Sequence, residues 1–354
     1  MSRISIVPAS RLPKESGRKK AVDSDGQLTF EDDPDALLMK AAVNHLRLGD
    51  FTQAGAALEG IFERNPEYAD IDTSIKACRF WENRAEWITN GQAGLEKGKF
   101  LKEEWNSFED FIGSDARIDS LPATQAIRMF IFTEAIHSFT RAWENTISPD
   151  AGLLHDIGEC YFNIRDLGHA VQTFEYAWEL KRDSSRILAR LADCYAVLGE
   201  ERDWQKKSLL YFREAFLHNP REIELKRLVS PVIRSLAYEI GQAGFTGEEV
   251  ACWIPIFAAF GNYFSIRREL EEYEVAMLQD QAYRLEGELR KSGSDKRILL
   301  PLLLNRYICL LDYFLLQAND AIKAELVRKR FIEADREIYE KIYSTPCSPQ
   351  VVSS

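Results

Sequence analysis

The chain has no pair of cysteines close enough for a metal knuckle or a redox motif. Its six cysteines are scattered at Cys78, Cys160, Cys194, Cys252, Cys309 and Cys347, none near a histidine at zinc spacing. That usage suits a reduced compartment and implies no disulfide framework. Glycine (19) and proline (12) are too sparse for a collagen-like or low-complexity chain of 354 residues. An excess of positive charge is also missing. Forty-five basic against 56 acidic residues leave a net charge of −11, so bulk attraction for nucleic-acid phosphates or an acidic membrane surface is not expected. Alternating, Val/Thr-rich strand segments are absent. So are a glycine-rich phosphate loop and a His-Glu-x-x-His helix, and no catalytic, cofactor or metal constellation is expected. His155 and Glu159 stand four apart and offer only two ligands, so a polar helix face explains them better.

Long apolar runs are nearly absent. The first 34 residues contain none of signal-peptide length, which predicts a cytoplasmic protein. Ile298–Leu316 is mostly apolar but includes Pro301, Asn305, Arg306 and Asp312, and reads as a buried core helix rather than a span. Residues 1–34 are a basic cluster followed by Asp23, Asp25, Glu31, Asp32 and Asp33, and read as a disordered tail, as do residues 345–354.

What is present is a helical period from residue 35 onward, with short loops between segments of one helix each. Within it one frame repeats. Leu154, Ile157, Gly158 and Tyr161 precede Ala170, Phe174 and Ala177; Leu188, Leu191, Ala192 and Tyr195 precede Ser208, Phe212, Ala215 and Pro220. First-helix positions recur at 34 residues and second-helix positions at 38, which places an insertion at Gly199–Lys207. Residues 35–70 carry a divergent version in Leu38, Ala42, Ala54, Leu58 and Pro66, with Gly49-Asp50-Phe51 as the turn. Ala135, Phe139 and Ala142 make a half match on a helix expected over 123–145, whose partner does not fit the pattern.

These positions resemble the tetratricopeptide (TPR) repeat family. The resemblance implies an all-α fold, a right-handed superhelical array of antiparallel helix hairpins in which small residues admit close backbones and aromatics fill the gaps. It covers 35–70 and, more fully, the two repeats over 151–222. Residues 71–150 read as irregular helical pairs, and 223–344 as a C-terminal helical extension that closes the array. Helices are expected over 72–88 and 95–112, around 225–240 with a kink at Pro231, from Thr246 with Glu249 as a capping box, and over 266–290 and 321–343.

By the resemblance, the first helix of each repeat lines a concave groove that takes a protein or peptide partner. The groove positions that carry polar side chains include His155, Asp156, Glu159 and Asn163 in the first repeat and Arg186, Arg190 and Asp193 in the second. Arg186 and Arg190 lie one turn apart and suit a carboxylate; equally, Asp156, Glu159 and Asp193 can pair with them across adjacent helices. Trp204, in the insertion, is either a staple over the hairpin or an anchor for a partner. The implied function is a non-enzymatic interaction scaffold or adaptor. Asn219-Pro220-Arg221-Glu222-Ile223-Glu224, with Ser230-Pro231 beyond, also resembles segments of spirochaete TPR proteins, some of which build the collar of the periplasmic flagellar motor. That implies a structural component of a larger assembly as one alternative. A regulatory protein that senses a ligand or peptide is another.

Overall fold

The computed structural model describes residues 33–91, 94–113, 116–145, 148, 150–199 and 202–343. Both tails expected to be disordered lie outside the described residues, apart from Asp33 and Pro34. The described residues are almost entirely helical and contain no strand.

Helices α1 (Pro34–Arg47) and α2 (Phe51–Arg64) form the first hairpin. Then come α3 (Ile71–Glu82), α4 (Ala85–Asn90), α5 (Leu95–Ile112), α6 (Ala116–Ser120) and the long α7 (Pro122–Glu144). The two segments with the repeating frame fold as hairpins α8 (Ala151–Asn163) with α9 (Leu167–Leu180), and α10 (Ser185–Leu198) with α11 (Arg202–His218). Two 3-10 turns, Pro220–Glu222 and Leu225–Arg227, lead to α12 (Pro231–Gln242), α13 (Glu248–Phe260), α14 (Glu272–Leu289) and α15 (Lys296–Asp312). A π-helical turn (Tyr313–Gln317), α16 (Ala321–Ala334) and α17 (Arg336–Tyr343) finish the described chain.

Local chemistry accounts for the ends. Asp50, Asp150, Asp166 and Ser184 each accept a hydrogen bond from a first-turn amide of α2, α8, α9 and α10. Pro231 sits at the first position of α12 and starts a helix there, where its missing N–H is no loss, rather than kinking one. The stretch before it is 3-10 and extended instead of helical, because the amides of Val229 and Ser230 are taken by the Asp193 carboxylate. The helix expected over 72–88 breaks at Asn83–Arg84, and that over 321–343 at Asp335. Only half of the expected capping box forms at α13: the Thr246 amide donates to Glu249, while glycine occupies the cap position.

Packing runs α7 on α8, α8 on α9, α9 on α10 and α10 on α11, then on through α13 to α15, which α14 and α16 flank. Two apolar cores result, and α8 is the wall between them. Leu153, Ile157 and Cys160 face the core built by α1–α7, while Leu154 and Phe162 face the core that continues to α16. The apolar α15 with its π turn, Lys296–Gln317, is the one described helix long and apolar enough to cross a membrane, and most of it is buried against neighbouring helices. Within it Asn305 donates to the carbonyl of Phe216 and Arg306 to that of Leu302.

The hairpins interlock by one device. Phe174 of α9 is fully buried, and a Cβ placed on Gly158 of α8 would stand 2.8 Å from its ring. The same arrangement recurs where the sequence pattern is broken. Phe139 of α7 is fully buried over Gly98 of α5, where a Cβ would stand 2.5 Å from the ring. The helix that partners the half match on α7 is α5, which supplies a small residue at the crossing although the rest of it does not fit the pattern.

Candidate interaction site

The polar positions of α8 and α10 meet across the hairpin boundary. His155, Asp156, Glu159 and Asn163 share one side of α8, and Arg186, Arg190 and Asp193 one side of α10, by the three-to-four-residue spacing of a helix face. Arg190 is the hub and is buried. Its Nε donates to Glu159, Nη2 donates to the same carboxylate at 3.3 Å, and Nη1 donates to Asp193 and to the carbonyl of Arg227, each at 2.9 Å. Its guanidinium carbon stands 4.3 Å over the Phe162 ring. Asp193, with no exposed surface, also accepts from the amides of Val229 and Ser230 at 2.9 and 2.7 Å.

Burial sets the electrostatics of this cluster. For Glu159 it alone would raise the carboxyl, but Arg190 foremost, then His155 and Lys102, overturn that and hold it at about 2. Asp156 is likewise pushed up by burial and held at about 2 by the adjacent imidazole and by Lys102, whose Nζ donates to it at 2.5 Å. His155 sits 3.7 Å from both carboxylates, beyond hydrogen-bond range. Burial lowers its pKa below the ordinary value, and its ring meets Phe174 edge-on at 5.6 Å. Burial also pushes Asp193 up, against the opposing pull of Arg190 and the two amides. Cys160 and Cys194, fully buried core residues, are raised by the same cause and are poor thiolate sources.

The groove positions of the two first helices are not an open face. The segment from Asn219 to Ser230 folds back over them as a strap. It is pinned by Asp193 and Arg190, by the Asn219 amide donating to Ser185 Oγ at 2.8 Å, and by Arg186 with Glu224 at 3.4 Å. His155, Glu159, Arg190 and Asp193 thus become interior groups, and Arg190 is committed to acids of the same chain. Of the two arginines only Arg186 remains half-exposed, at the strap's edge. Nothing in the local sequence of the strap says which face it covers.

Trp204 lies in the first turn of α11, not in a loop, because the inserted residues from Arg202 on extend that helix. Its indole stacks on Tyr195 at 5.2 Å with 14° between planes, and Lys207 Nζ stands 4.9 Å from it. Tyr195 in turn donates to Glu175 at 2.6 Å. Trp204 is thus packed, partly buried, against the second hairpin.

Beside the strap a cleft of about 890 Å³, including the solvent at its mouth, remains open. Asn163 lines it, as do Lys102, Arg128 and Arg165 from the α5–α8 side and Lys226, Arg227 and Arg234 from the strap and α12. Arg227 reaches across to Asn106 at 3.0 Å. Trp105, Phe132 and Phe162 form its floor but are buried, each at most 6% exposed. Trp105 and its neighbour Phe108 belong to the core. No group of three or more metal-ligating side chains gathers among the described residues. No family model matches the chain, and neither a curated protein nor a solved structure does.

Proposed function

We propose that the chain is a non-enzymatic interaction scaffold of tetratricopeptide type, an array of stacked hairpins that docks a protein partner in the cleft beside the strap. The observation that carries this reading is the repeated interlock of a small first-helix residue under a second-helix phenylalanine, at Gly98 with Phe139 and Gly158 with Phe174. Hairpins built this way cannot bury their apolar faces alone and stack edge to edge, leaving a polar flank free for recognition. The acidic and basic groups at the α8–α10 boundary support the same reading. They are spent on each other and on the strap, and so hold the cleft's wall in place.

A photo-crosslinking side chain at Asn163, in the cleft, tests it when introduced into the native cell. One discrete protein adduct is expected there and none from the same group at Glu179, exposed on α9. Equal adducts from both positions, or none from Asn163, would end the reading.

A further inference from the structure

The cleft is lined by seven cations against three carboxylates, Glu109, Asp119 and Glu159, in a chain whose net charge is −11. Four of its cations are committed: Lys102 to Asp156, Arg128 to Asp119, Arg190 to Glu159 and Asp193, and Arg227 to Glu224. Three are not. Arg165 and Lys226 are exposed and have no hydrogen-bond or ion-pair partner among the described residues. Arg234 is exposed and spends only its Nε, on the carbonyl of Leu228 at 2.9 Å. These three stand on opposite rims. Arg165 comes from the α8–α9 turn, where it holds the left-handed backbone (φ 62°) that ends α8; Lys226 and Arg234 come from the strap and α12. None of them occupies a first-helix groove position of the two repeats.

Resting on the scaffold reading, we infer that this cleft binds an acidic, aspartate- and glutamate-rich segment of a partner protein, laid between the two rims. Guanidinium groups with free planar edges take carboxylates in pairs, and Lys226 adds a mobile point charge. A local cationic site inside an acidic molecule selects short anionic segments. Beyond a Debye length of about 8 Å the surrounding charge is screened, whereas an extended polyanion would also meet the acidic remainder of the surface. Nucleic acid fits less well for a second reason. Trp105, Phe132 and Phe162 lie below the surface, so the cleft offers no exposed ring on which bases can stack.

The test uses the full chain and a fluorescein-labelled decamer of glutamate. Expected is binding that weakens steeply as salt is raised, and that weakens at least about tenfold in R165E/K226E/R234E. K76E/K291E/K329E makes the same charge change at exposed sites elsewhere and should weaken it less than about threefold. If the first triple variant melts early, K226Q/R234Q in an otherwise unchanged chain supplies the comparison. Equal losses in both triple variants would overturn the assignment. So would tighter binding of an oligothymidine, which makes the cleft a nucleic-acid site, or of a phosphoserine decamer by more than about tenfold, which makes phosphate the ligand. A dimer abolished by R165E/K226E/R234E would place a second copy there. Removal of residues 1–32 that raises glutamate-decamer affinity tenfold or more would make the chain's own acidic stretch the occupant. A partner crosslinked at Asn163 as efficiently in R165E/K226E/R234E as in the parent would leave the scaffold reading standing and remove this one. Decamer binding with no crosslinked partner would do the reverse.

Discussion

Two hairpins in this molecule make the same contact by different routes. In α8–α9 the glycine and the phenylalanine that covers it are sixteen residues apart, Gly158 and Phe174. In α5–α7 they are forty-one apart, Gly98 and Phe139, with α6 between. What defines the pair is a helix without a side chain at the crossing point and a ring that fills the gap. Chain distance enters only through the entropy of closing the loop, which grows slowly with length. The same packing contact can therefore form across a long intervening segment, while a pattern search that requires fixed spacing loses sight of it.

The largest effect that tests this equivalence should come from the rings. Phe139→Ala and Phe174→Ala each remove a fully buried phenyl and should cost about 3–5 kcal/mol, read from denaturant midpoints. Near-equal losses would sustain the equivalence of the hairpins; a Phe139→Ala variant that unfolds like its parent would break it.

The ion network at the α8–α10 boundary is larger than the single Lys97–Glu134 pair, at 3.2 Å, that joins α5 to α7, and pH should expose it. The Glu159 carboxyl lies below its ordinary value of 4.5, at about 2, so the stability it contributes is complete above 4.5 and is lost as pH falls towards 2. The shift is worth on the order of 3 kcal/mol. His155 is also lowered, from 6.5, so its contribution is complete above that value and declines as pH falls below it. Melting curves from pH 8 to pH 2.5 should show the early decline shrink in His155→Gln and the late one shrink in Glu159→Gln. Unchanged profiles would remove the network from the stability balance.

Next come the glycines. A methyl at Gly98 or Gly158 must displace a buried ring, and overpacking of this kind costs about 1–3 kcal/mol. Gly98→Ala should lose more than Gly158→Ala, because its Cβ would come nearer the ring, 2.5 against 2.8 Å. Phe139→Leu should partly rescue Gly98→Ala; a purely additive double variant would mean that the two do not touch. The smallest effect belongs to Arg186→Ala, whose pairing with Glu224 is half-exposed on both sides, so thermal unfolding should change by less than about 0.5 kcal/mol.

Much of the helical layout was legible. The hairpins α8–α9 and α10–α11 follow from their small and aromatic positions, and α5, α7 and α15 from apolar period and length. Boundaries failed where a tertiary partner outbid local preference. The strap reads as helix around Leu225, yet two of its amides serve Asp193, thirty-six and thirty-seven residues earlier. At the candidate site, the pairing of Arg190 with Glu159 and Asp193 was one of two readings the spacing allowed. Sequence could not choose, since the choice depends on what covers the face. Arg165, Lys226 and Arg234 escaped notice for a related reason: they lie on different elements, and only folding brings them to one cleft. An excess of arginine and lysine near turns and junctions was the one available signal, and it is too common on surfaces to point anywhere.

By itself the sequence determined that this chain is helical, where α5 and α7 run, and which faces of α8–α11 seek apolar neighbours, because period, caps and side-chain size act within a few residues of one another. The tertiary structure alone decided that Gly98 meets Phe139, that the strap seals the α8–α10 boundary, and that an acidic protein holds a basic cleft. Those outcomes depend on distances between residues far apart in the chain, and no local preference encodes them.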